Sequence, residues 1–96
     1  MEEIFTGKIM KPYTDENIDD NTFIRTFSGI NKDDLVWHRD KKDRLIKVID
    51  GSDWTIQFDN MMPFPLKVGD YITIPRNIFH RLIIGTTDLK LLIMES

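Results

Sequence analysis

Short stretches of strict alternation between apolar and polar residues, broken at close intervals by Gly, Pro, Asn and Asp, are the dominant pattern in this chain. Period-two alternation puts successive side chains on opposite faces of a strand, so the pattern predicts an all-β protein. Strands are expected at Ile4 to Lys11, Thr22 to Phe27, Leu35 to Arg39, Arg44 to Ile49 and Trp54 to Phe58. More follow at Leu66 to Val68, Tyr71 to Ile74, His80 to Ile84 and Leu89 to Met94. Tyr13 to Asn21 is acidic and polar and reads as a surface loop. Asn31 to Asp34 reads as a polar or single helical turn. Asp50-Gly51-Ser52-Asp53 separates two strands and predicts a hairpin between them. Pro63 and Pro65 lack the N–H that a central ladder position needs, so Asn60 to Pro65 reads as a loop. Eight or more short strands and no long amphipathic helix imply a sandwich or barrel.

With 96 residues there is room for one domain, 1–96, with one modest core. The 13 basic and 16 acidic side chains are interspersed and leave a net charge of −3. Neither the basic face of a nucleic-acid binder nor a polybasic membrane patch is expected. No apolar run approaches the roughly 18 residues of a membrane span. The acidic start Met1-Glu2-Glu3 does not resemble a signal peptide, so a cytoplasmic location is expected. There is no cysteine, so any metal site must be built from His and carboxylates. The chain also lacks Ala and is rich in Ile, a bias toward strands.

The inward faces follow from the same period. Arg44, Ile46 and Val48 share a side, as do Trp54, Ile56 and Phe58, Ile72 and Ile74, and His80, Leu82 and Ile84. His38 and Asp40 project together if their strand continues through position 40. Facing inward, these sets would make an apolar pocket with His38, Asp40, Arg44 and His80 at one polar end. A few convergent polar groups in an apolar cavity is the usual construction of a ligand site. Trp37 and Arg81 fall on the opposite face from their histidine neighbours, with Trp37 a candidate dimer contact or core residue. Trp54 and Phe58 are candidates for packing and for the pocket wall. The acidic residues between Asp15 and Asp20 lack the spacing of a calcium loop and read as a solvated segment.

From Trp37 to Ile84 the chain resembles the cupin superfamily, in particular small single-domain RmlC-like members. The resemblance rests on Gly69-Asp70, the strand Tyr71 to Ile74, Pro75, and His80 after four further residues. The first cupin motif is degenerate. His38-Arg39-Asp40 stands where His-x-His is usual, and Arg44, seven before Gly51, stands where a metal-binding Glu is usual. The resemblance implies a double-stranded β-helix, or jelly-roll barrel, and a homodimer. A ligand set of three His and one Glu cannot form.

Two readings of the polar end stand together. In one, His38, Asp40 and His80 are a two-His-one-carboxylate triad for iron, manganese or zinc with open coordination positions. Arg44, Trp54 and Phe58 then contact a small-molecule substrate, for dioxygenase-like or lyase/isomerase-like chemistry. The His-x-Asp…His order also looks like that of 2-oxoglutarate-dependent oxygenases, but no anchor for that co-substrate is assignable. In the other, Arg44 pairs with Asp40 or Asp43, the histidines hydrogen-bond in a polar cavity, and the chain is a metal-free ligand-binding or structural module.

Overall fold

The computed structural model describes residues 12–96, so the expected strand at Ile4 to Lys11 lies outside the described residues. Eight strands are present among the described residues: β1 (Thr14–Asp19), β2 (Thr22–Phe27), β3 (Arg44–Asp50), β4 (Thr55–Phe58), β5 (Phe64–Pro65), β6 (Tyr71–Ile74), β7 (His80–Ile83) and β8 (Leu89–Glu95). They form two antiparallel sheets, of order β1-β2-β8-β3-β6 and β5-β4-β7. The sheets oppose one another in a jelly roll. Their facing sides bury Phe27, Ile46, Val48, Trp54, Ile56, Leu66, Ile74, Leu89, Leu91 and Ile93. Ile46, Val48, Trp54, Ile56 and Ile74 are among the alternate positions expected to point inward, as burying one face of each sheet requires.

Four local expectations are corrected. The acidic stretch after Tyr13 is strand β1, not a loop; it pairs with β2 and all six of its residues are exposed. An edge strand with no buried face needs no apolar alternation, and its charges discourage pairing with other chains. The segment at Leu35 to Arg39 makes one isolated bridge, between His38 and His80, and no continuous strand. β3 and β4 do not form a hairpin, because the chain between them crosses from one sheet to the other. Finally, the strand expected at Leu66 to Val68 falls two residues earlier, at Phe64–Pro65. It lies at the edge of the small sheet, where Pro65 is tolerated. Leu66 N–H still donates to the Trp54 carbonyl at 2.8 Å and is buried.

The turn before β6 has Gly69 at φ 94°, backbone that side-chain-bearing residues rarely adopt. Between Pro75 and His80 a tight turn delivers the chain into β7. Asn31 to Asp34 is capped as a single 3-10 turn, Lys32–Asp34, with the Asp34 carboxylate accepting from Asn31 N–H at 3.0 Å.

Candidate metal centre

The bridge between His38 and His80 determines the site. Each backbone N–H donates to the other's carbonyl, at 3.0 and 2.9 Å. Residues paired in this way carry their side chains on the same side of the sheet, and the two imidazole centroids lie 4.4 Å apart. Asp40 is two residues beyond His38 in extended chain and therefore shares its face. Its backbone carbonyl accepts from Asn77 N–H at 2.8 Å, which ties it to the turn preceding β7. Asp43 Oδ1 accepts from Arg76 N–H at 2.8 Å in the same turn. Segments 33 to 42 residues apart in sequence are thus fixed together by hydrogen bonds that each involve the backbone.

The ring nitrogens are arranged with a definite polarity. Nδ1 of His38 lies 2.9 Å from the Val36 carbonyl, and Nδ1 of His80 lies 2.8 Å from the Ile78 carbonyl. A carbonyl only accepts, so each Nδ1 carries the proton, and in the neutral ring Nε2 presents a lone pair. Both Nε2 atoms face Asp40, at 3.9 Å from Oδ1 for His38 and 3.3 Å from Oδ2 for His80. Asp40 Oδ2 is buried and lacks a hydrogen-bond partner among the described residues. One ligand atom from each of the three residues lies within 4.8 Å of the others. With Nδ1 bonded to a carbonyl, each ring has only Nε2 to turn toward Asp40, as a donor N–H when the ring is protonated and as a lone pair when it is neutral. In the neutral arrangement a cation would join the converging lone pairs. Imidazoles oriented by Nδ1–H to carbonyl bonds are a common outer-shell arrangement of metal sites. The donor set therefore fits a divalent metal of the imidazole–carboxylate class.

Arg44, at the start of β3, reaches Asp40 Oδ1 through Nη1 at 3.2 Å. Its Nε and Nη2 contact Glu95 Oε2 at 2.9 and 2.8 Å. Arg44 and Glu95 are opposite one another in the β3–β8 register. Of the two expected carboxylate partners the structure provides Asp40; Asp43 bonds the Arg76 backbone instead. Arg44 occupies only one oxygen of Asp40 and leaves Oδ2 directed at the histidines.

Burial pushes His38 down from 6.5 and dominates the opposing pull of the Val36 carbonyl, so the ring is held neutral near pH 7. Burial pushes Asp40 upward, but the neighbouring His80 ring and the Arg44 guanidinium outweigh it and hold the carboxyl below 3.8. A neutral imidazole and an ionised carboxylate are the protonation states a metal ligand needs.

A half-open cavity of about 310 Å³ lies over the triad. Its walls include Phe27, Ile46, Ile56, Ile74, Leu82 and Leu91, and Arg44 joins His38, Asp40 and His80 at the polar end. Trp54 and Phe58 do not line it. Trp54 is buried in the core and donates Nε1–H to the Thr87 carbonyl at 2.7 Å. Phe58 packs beside the core, with its ring centroid 6.1 Å from that of His80. Trp37 and Arg81 are on the outer face, where the guanidinium stands 4.9 Å over the indole. The cavity also contains Arg25, on the inward face of β2. The sequence reading did not single it out, although its place between Phe23 and Phe27 in the alternation was a signal.

No protein-family model matches the sequence, and no curated protein sequence is significantly similar to it. Solved structures are similar over most of the chain. The DMSP lyase DddQ from Ruegeria pomeroyi DSS-3 matches with a TM-score of 0.74 at 12% identity, over 96% of this chain and 50% of that one. A cupin 2 conserved barrel domain protein from Leptotrichia buccalis matches at 0.64 and 26% identity, over 99% and 44%. The iron(II) form of HppE matches at 0.64 and 15% identity, over 78% and 41%. The chain spans half or less of each of these proteins. The fold is cupin-like, a double-stranded β-helix with a buried His/Asp/His cluster capable of holding a metal. No helix among the described residues is long and apolar enough to cross a membrane.

Proposed function

We propose that this chain is a small metal-dependent cupin acting on a small molecule, with His38 Nε2, His80 Nε2 and Asp40 Oδ2 as ligands to iron, manganese or zinc. The observation that carries this reading is the convergence of two Nε2 atoms, on rings each fixed by a backbone carbonyl, on a buried carboxylate oxygen with no hydrogen-bond partner among the described residues. Such a metal supplies Lewis acidity or, for iron, oxygen activation at the positions that three ligands leave open. This suits dioxygenase-like or lyase/isomerase-like chemistry.

The chain's own residues do the rest. Val36 and Ile78 carbonyls hold the tautomer and orientation of the two rings. Arg44, anchored by Glu95, holds Asp40 through Oδ1. The aliphatic wall excludes water and receives the apolar part of a substrate. The test is metal analysis of untagged protein, before and after incubation with iron(II), manganese(II) and zinc(II) salts followed by desalting. About one equivalent is expected, falling at least tenfold in His80→Ala and in Asp40→Ala. Less than a tenth of an equivalent in native protein after every incubation overturns the reading. The Arg44–Asp40 ion pair favours a second reading, a metal-free ligand-binding module. That reading predicts melting temperatures raised by a small-molecule ligand with a chelator present.

A further inference from the structure

A cation on the inward face of a strand needs a partner, and Arg25 has one directly across the β1–β2 ladder. Its Nε donates to Asp15 Oδ1 at 2.8 Å and its Nη2 to Asp15 Oδ2 at 3.0 Å. Its guanidinium carbon stands 3.6 Å above the centre of the Tyr13 ring. The side chain is 13% exposed, so it is held in one pose between a carboxylate and an aromatic face.

A guanidinium has two edges that can each receive a carboxylate with paired N–H bonds. Asp15 takes the edge made by Nε and Nη2. The other edge, made by Nη1 and the second Nη2 proton, has no acceptor among the described residues. Arg44 differs in this respect. Glu95 takes its Nε and Nη2, and Asp40 takes its Nη1. Among the described residues the cavity thus holds one arginine committed on both edges and one with an open fork.

We propose that the open edge of Arg25 receives the carboxylate of a small monocarboxylic acid whose apolar body lies along the aliphatic wall and whose far end meets the triad. The proposal rests on the metal reading of that triad. The open fork and the size of the cavity give the ligand class: a free guanidinium edge matches the two oxygens of one carboxylate. A volume of about 310 Å³ holds about ten water-sized groups at roughly 30 Å³ each, the scale of a short-chain acid. The guanidinium carbons of Arg25 and Arg44 lie 5.1 and 5.9 Å from the Phe23 ring centre, so they are within about 11 Å of each other. One short molecule can therefore address both ends.

Isothermal titration of metal-loaded, untagged protein with straight-chain acids of four to eight carbons, and with hexanamide, tests this. Hexanoate is expected to bind at least tenfold more tightly than the isosteric amide. Arg25→Gln removes that preference at unchanged metal content. Arg25→Lys keeps less than a fifth of the affinity, because an ammonium cannot present a planar fork. Hexanamide binding as tightly as hexanoate, absence of binding across the acid series, or full hexanoate affinity in Arg25→Gln each overturns the proposal. The acid-to-amide comparison uses native protein and does not depend on the variants folding. Metal content is measured on the same samples. Protein that takes up no metal yet keeps the acid preference removes the metal reading and leaves the anchor standing. Protein with a full equivalent of metal and no acid preference removes the anchor alone.

Discussion

Arg44 illustrates how one side chain can be tied into both stability and the site. It stands between Asp40 and Glu95, with 15% of its side chain exposed against 8% and 20% for the carboxylates. Removing the cation leaves two poorly solvated negative charges facing one another, and breaking such a pair costs more than the pair itself contributes. Arg44→Gln is expected to lower stability by about 1–3 kcal/mol in urea unfolding. Adding Glu95→Gln is expected to recover part of that loss, since the stranded partner is neutralised. Independent, additive losses in the double variant would mean that the two do not share an interaction. The Gly69…Pro75…His80 spacing located His80 through its resemblance, whereas His38 and Asp40 were expected to project together only on a strand through position 40. The isolated bridge between His38 and His80 brings them together instead. Alternation with Phe23 and Phe27 placed Arg25 on the inward face, but the carboxylate that partners it there was not legible. Its partner Asp15 lies in a stretch without apolar alternation, so nothing in the sequence announced a strand to carry it.

At the scale of elements, alternation located the strands that bury a face and missed those that do not. β2, β3, β6, β7 and β8 came within one residue of expectation because each feeds the core. β1, wholly exposed, had no such signature. The Asp50-Gly51-Ser52-Asp53 turn was legible as a turn, but which sheet received the next strand was not. A turn's chemistry is local, whereas the choice of sheet is made by distant partners. Here β3 pairs with β6 and β8, and β4 with β5 and β7. The crossover is tightly packed at Gly85, just after β7. A Cβ there would overlap the Ser52 carbonyl oxygen and the Trp54 ring, and would lie 2.7 Å from the Trp54 backbone nitrogen. Backbone on one side and a fully buried indole on the other leave no flexible atom to yield. Gly85→Ala is expected to cost about 3 kcal/mol, lowering the melting temperature by more than about 10 °C. A loss under 2 °C would show that the crossover is loosely packed. Trp54→Phe, which leaves the Thr87 carbonyl without its donor, is expected to cost roughly 1–3 kcal/mol in the same assay.

For the whole molecule, the candidate metal site makes folding depend on pH, in a direction fixed by the two shifted groups. His38 is held below 6.5 and Asp40 below 3.8 in the folded protein. In both cases the unfolded chain is the better proton binder, so these groups make stability rise with pH. The His38 contribution is complete above pH 6.5 and fades as pH falls from there through the folded value. The Asp40 contribution is complete above 3.8 and fades below it, through its own depressed value. Metal-free protein is therefore expected to melt at progressively lower temperature from pH 7.5 to 5.5 and more steeply in stronger acid. His38→Gln removes a titrating group, so the variant's melting curve should be flatter between pH 7 and 5 than that of the native protein. Equal slopes in that window would mean that His38 titrates alike in both states. Metal adds a second linkage, because protons compete for the same Nε2 atoms. A stabilising ion raises the melting temperature only while the rings are neutral. The difference in melting temperature between metal-loaded and chelator-treated protein should therefore shrink as pH falls below 6.5. A difference independent of pH would place the bound ion somewhere other than on these imidazoles.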